Sequence, residues 1–131
     1  MFEPMTKCDG KEMELKGTDA TTFVKNKLVK FSSGYLVNAA AADDKAEYLC
    51  LESKLTTSTG ELVKVLPLDQ TIVFRALTSI TPVQATHVGN EYDLTDDATV
   101  DLGNTTDKVF HVDRIVDATN KIVEGRFMPR E

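Results

Sequence analysis

The sequence predicts an all-β protein, a single small β-barrel or β-sandwich preceded by an extended N-terminal arm, and three observations lead there. Short runs rich in β-branched and aromatic residues alternate apolar with polar, as half-buried strands do. Turn-forming clusters interrupt those runs at regular spacing, the pattern of barrels and sandwiches. Apart from a short alanine-rich bridge, apolar residues nowhere recur at helical spacing over three turns. Residues 1–20 are assigned to the arm and 21–131 to the β domain.

Residues 1–20 carry Pro4, Gly10, Gly17 and many charges, with Phe2, Met5 and Met13 as isolated apolar points, and read as an arm or a loosely attached first strand. From Phe23 to Phe31 the chain reads as one strand, with Lys25, Lys27 and Lys30 as its solvated face. "SSG" turns it into "YLVNA", completing a hairpin. The bridge "AAAADDKA" has helical composition but is too short to stand as a helix alone. Strands follow in "EYLCLES", "LVKVLPL" and "QTIVFRAL". Pro67 cannot donate to a ladder and so marks an edge, a bulge or a strand end. "GNEYDLT" and "ATVDLG" are short strands beside the turn dipeptides Gly89-Asn90 and Gly103-Asn104. "DKVFHVDRIVD" is a longer strand that "ATN" turns into its partner "KIVEGRFMP". The expected total is about eight to ten strands.

Composition excludes several function classes. A chain of 131 residues with 41% hydrophobic and 27% charged residues is ordinary for one globular domain. No apolar run approaches the roughly 18–20 residues of a spanning helix, so no membrane role is expected. The N-terminus lacks the apolar core of a signal peptide, and synthesis in a cytoplasm is expected. A net charge of -6 and a pI near 4.9 disfavour nucleic acid as a partner. Cys8 and Cys50, far apart and in no CxxC pattern, are too few for a disulfide scaffold or a zinc site. Alternation puts Cys50 beside Tyr48 on one face as a small buried hydrophobe, while Cys8 lies in a polar segment read as exposed.

The sequence offers little for catalysis. Only His87 and His111 are available as bases. His111 is mid-strand, and Asp113 two residues on shares its face and is placed to orient an imidazole. No nucleophile at a glycine-rich elbow accompanies them. His87, near a turn, is expected to be exposed. Asp93, Asp96, Asp97, Asp101 and Asp107 crowd one region; tight-turn chemistry explains them, with calcium the alternative, although no EF-hand spacing is present. Phosphate-binding glycine loops are absent, and so is Trp. The expectation is a protein that is not an enzyme, with no cofactor and no metal.

The order "NKLVKF", "SSGYLVNAAAADDKAEYLCLES", "TGELVKVLPL", "TIVFRA" resembles the small β-rich proteins that decorate, or cement, the capsids of tailed bacteriophages. "GNEYDLT" to "KVFHVDRIVDATNKIVEGRF" is similar to their closing half, so the resemblance spans about residues 23–128. It implies a tulip-like β fold and a homotrimer on the outside of an expanded capsid. It also implies an N-terminal arm that contacts the major capsid protein, with Phe2, Pro4, Met5 and Met13 as the contacting residues. The localisation implied is the outer surface of the virion. This chain departs from the best-known members in carrying charge, and few prolines, through its arm. Two alternatives stand beside this reading: a phage tail or baseplate module, and a ligand- or carbohydrate-binding β-barrel. The second would expose aromatic platforms or enclose an apolar cavity, whereas most of the Phe and Tyr residues sit in strand patterns and read as core.

Overall fold

The computed structural model describes residues 1–5, 11–39 and 47–128. Within them the chain is all-β, with one helical turn. In chain order the elements are β1 (Glu3–Pro4), β2 (Met13–Lys16), β3 (Thr22–Phe23), β4 (Leu28–Ser32), β5 (Tyr35–Asn38), β6 (Tyr48–Cys50) and β7 (Lys54–Leu55). They continue with β8 (Leu62–Pro67), β9 (Phe74–Thr78), α1 (Gln84–His87), β10 (Glu91–Leu94), β11 (Thr99–Asp101), β12 (Phe110–Asp117) and β13 (Ile122–Phe127). The strands divide among three sheets, so no single sheet takes in the whole chain.

The larger sheet has the order β1-β9-β11-β10-β12-β13, and β13 also pairs with β9, so the ladders from β9 through β13 run in a circuit. All pairings are antiparallel except β9 with β11. The second sheet runs β2-β8-β6-β4-β5, and its two outer strands approach each other through a parallel bridge between Gly17 and Leu36. β3 and β7 form a separate two-stranded ribbon.

Strand alternation explains how the two sheets share a core. Leu28, Leu49 and Leu66 are cross-strand neighbours on β4, β6 and β8 and form one apolar row. That row packs with Phe74, Tyr92, Val100, Phe110, Val123 and Phe127 of the larger sheet in one buried cluster. The opposite face of the second sheet buries Val29, Leu36, Cys50, Val63 and Val65 together with Phe23 of the ribbon. β6 is therefore apolar on both faces, and Cys50 lies on the same side as Tyr48, as alternation predicts. Burial pushes the Cys50 thiol pKa up, and its Sγ donates to the Glu52 carbonyl at 3.0 Å.

Local chemistry places the turns. Ser33 and Gly34 both have positive φ, 52° and 86°, and close the β4–β5 hairpin in two residues, the geometry whose twist matches the flanking strands. The strand expected from Phe23 to Phe31 is broken instead. Asn26 adopts φ 70°, Lys27 N–H returns to the Val24 carbonyl, and Phe23 falls to the ribbon while β4 begins at Leu28. Lys25 and Lys27 thus lie in a turn rather than on a strand face, and Lys27 pairs with Asp97 at 3.5 Å. "QTIVFRAL" contributes its strand only from Phe74, because Ile72 N–H closes a turn onto the Asp69 carbonyl. Pro67 is the last residue of β8, which is an interior strand, so of the positions expected for it the strand end is the one observed.

The N-terminal segment is built into both sheets over its described residues. β1 pairs with the start of β9, and β2 pairs with β8 along its full length. Phe2 is fully buried, its ring 5.7 Å from that of Phe110 and 5.0 Å from that of Phe127. Burying such a side chain is worth roughly 1.5–3 kcal/mol, which ties the chain start to the core. Cys8 and the alanine bridge lie outside the described residues.

Candidate functional site

The densest constellation of titratable side chains lies on the outer face of the larger sheet, where register sets opposite charges side by side. Glu3, Arg75, Glu124 and Arg114 are successive cross-strand neighbours on β1, β9, β13 and β12. Arg75 Nη2 donates to Glu124 Oε2 at 2.9 Å, and Arg114 Nε to Oε1 at 2.8 Å. Glu124 is only 12% exposed, and the hydrogen bonds from Arg114 and then Arg75 hold its carboxyl below the usual range. Glu91, His111 and Arg126 form a second row on β10, β12 and β13. His111 Nδ1 lies 2.9 Å from Glu91 Oε2, and its Nε2 is 3.5 Å from Asp113 Oδ1. Arg126 grips Asp113 with both Nε and Nη2 at 3.0 Å.

The sequence expectation that Asp113 shares a face with His111 agrees with this geometry, but the shorter contact of the imidazole is to Glu91. A carboxylate therefore stands beside each ring nitrogen. Among the described residues no hydroxyl or thiol hydrogen-bonds to His111. Glu91, Arg75, Arg114, Glu124 and Arg126 were not singled out from sequence. For Arg114, Glu124 and Arg126 the signal is the alternation of charge in "VDR" and "EGR", which becomes readable only once the register between strands is known; Glu91 and Arg75 carry no such local signal.

His87 corrects the expectation of exposure. It ends α1 at 6% exposure, its Nδ1 accepts the Val83 N–H at 2.8 Å, and its ring meets that of Tyr92 edge-on at 5.7 Å. A four-residue turn too short to be legible as a helix buries it.

The crowded aspartates do different work from one another. Asp96 accepts the Ala98 N–H at 2.8 Å and Asp101 the Gly103 N–H at 2.9 Å, both by turn chemistry. Asp97 pairs with Lys27, and burial pushes its carboxyl pKa up. Asp93 is fully buried and accepts two backbone N–H groups. Among the described residues no three His, Cys, Asp or Glu side chains converge as a metal-binding group.

Of the residues expected to meet a partner, Phe2 is enclosed in the core and Pro4 is half-buried in β1, whereas Met5 and Met13 are 45% and 41% exposed. Leu62 on β8, next to β2, is exposed as well. Across the molecule, Met1, Leu77 and Ile122 line a shallow cavity of about 180 Å³ with Glu3 and Arg75 at its side. Among the described residues no helix is long and apolar enough to cross a membrane. Compared with protein-family models, curated proteins and solved structures, the chain matches none.

Proposed function

We propose that this chain is a non-enzymatic structural protein that binds the outer surface of a tailed-phage capsid and stabilises the expanded head. In this reading it acts as a homotrimer whose N-terminal segment meets the major capsid protein, and the two sheets form a barrel-like, tulip-shaped body behind that segment. One observation carries the reading. β2 is an outer strand paired with β8 alone along Met13–Lys16, and its Met13 is 41% exposed at the end away from the Gly17–Leu36 bridge. An unpaired strand edge with apolar side chains is a template for strand addition, in which main-chain hydrogen bonds supply affinity and alternate side chains supply specificity. The contact set expected from sequence narrows accordingly. Met5 and Met13 remain as docking residues, while Phe2 and Pro4 anchor the segment to its own body. Many such weak contacts repeated over a shell act together, so no single site needs to bind tightly.

Electron microscopy of tailed-phage heads assembled with and without the chain tests this, alongside the solution mass by light scattering. The expected result is density at local threefold positions on expanded heads, lost with Met13→Asp while thermal stability is kept. A monomer that leaves every head surface bare would overturn it.

A further inference from the structure

Asp93 is a buried carboxylate with half of its hydrogen-bonding capacity unused. It is 0% exposed. Its Oδ1 accepts the N–H groups of Asp107 and Lys108 at 2.7 and 2.8 Å, and its own N–H donates to the Asn104 carbonyl at 2.9 Å. These bonds aim the carboxylate into the loop between β11 and β12. Its Oδ2 is buried and has no hydrogen-bond partner, and no ion pair to Asp93 exists among the described residues. Leaving a carboxylate oxygen buried and unpaired carries a large desolvation penalty, so something else satisfies it in the folded protein.

The neighbourhood selects what that is. The direct cross-strand partner of Asp93 is Asp101, on the same face of the sheet. Two acidic side chains directly opposite each other repel. A cation would satisfy Oδ2 and offset the repulsion together. The loop supplies oxygen donors throughout, at Asp101, Asn104, Thr105, Thr106 and Asp107, and no imidazole or thiol. Such a set suits a hard cation, and an irregular loop suits the variable coordination of calcium better than the strict octahedron of magnesium. An open cavity of about 280 Å³, lined by Asn90, Glu91, Tyr92, Thr105 and Lys108, borders the same loop.

We propose that the β11–β12 loop closes a calcium site on the buried Oδ2 of Asp93. Since three carboxylates do not converge, carbonyl, amide, hydroxyl and water oxygens complete the shell. The affinity then belongs to the weak class of calcium modules, with Kd of about 10⁻⁴–10⁻³ M.

The test is calorimetric melting of the full chain, freed of metal by chelation, in CaCl₂ up to about 20 mM against NaCl of equal ionic strength. The expected result is a saturable rise in Tm, about 5 °C at a tenfold excess over Kd, smaller in MgCl₂ and absent in Asp93→Asn. A wild-type Tm that is the same in both salts, or a rise that survives in Asp93→Asn, overturns the proposal. If Asp93→Asn does not fold, Asp101→Asn carries the test, because its amide oxygen still accepts the Gly103 N–H. Calcium should bind that variant at least tenfold more weakly, and an unchanged calcium response there overturns the proposal equally.

Discussion

Replacing Gly125 by alanine should remove about 3–5 kcal/mol of folding stability, a large part of what a domain of this size has. Gly125 lies mid-strand on β13 opposite Val112, where a glycine has no turn to make. A Cβ built there would stand 1.9 Å from the His111 carbonyl oxygen and 2.7 and 2.9 Å from the Phe110 ring. Real Cβ atoms essentially never approach closer than 3.0 Å, so β12 and β13 must separate or the ring must leave its site. The ring is held by Phe2 and Phe127, with centroids 5.7 and 5.1 Å away, and cannot swing without opening the core. Overpacking a core costs about 1–3 kcal/mol, and each ladder hydrogen bond lost adds about 0.5–1.5 kcal/mol. The assay is urea unfolding followed by circular dichroism, since the chain has no Trp. With m of about 1.5–2 kcal/mol/M, the midpoint should fall by about 2 M. Gly34→Ala is the control: nothing lies within 4 Å of its Cβ, and only the φ of 86° opposes it, so it should cost about 1 kcal/mol. Equal midpoints for the two variants would refute the close-approach reasoning.

Phe2→Ala should cost about 3–5 kcal/mol, and deletion of residues 1–5 at least as much, because the chain start fills the core; a deletion variant melting within about 2 °C of the full chain would remove that claim. Glu124→Gln should cost about 1–2 kcal/mol near neutral pH by leaving Arg75 and Arg114 without their carboxylate. Because the folded-state pKa of Glu124 is depressed, its contribution is complete above the unfolded value near 4.3 and is lost as pH falls through the folded value. Urea midpoints of wild type and Glu124→Gln should therefore converge between about pH 5 and pH 3, and a constant difference would contradict the assignment. In a Cys8→Ser background, Cys50 should react with a thiol reagent at least tenfold more slowly in buffer than in denaturant, as burial and a raised pKa both require; equal rates would show that β6 is open.

The all-β character was legible in the sequence, because period-two alternation and turn residues are local properties. "SSG" specified its two-residue hairpin, and "EYLCLES" showed which side of β6 carries Cys50. The chain start illustrates the limit. Phe2 looks like an isolated apolar point in a charged segment, and nothing local reveals that three phenylalanines from β9, β12 and β13 leave a space for its ring.

The candidate sites show the same division. Alternation placed His111 and Asp113 on one face, but Glu91 became the nearer partner through a strand pairing twenty residues away in sequence. Which aspartate of the crowded segment is buried, and which only caps a turn, depends on where β11 returns beside β10. Asn26 at φ 70° ends a strand that propensity would continue, and the break sends Phe23 to one buried cluster and Leu28, beside Leu49, to the other. By itself the sequence determined the kind of secondary structure and those turns and strand faces, such as the "SSG" hairpin and the Cys50 side of β6, that neighbours within a few residues set. Only the tertiary structure decided registers, sheet membership and charge pairing, since these depend on contacts between segments whose separation along the chain carries no local signal.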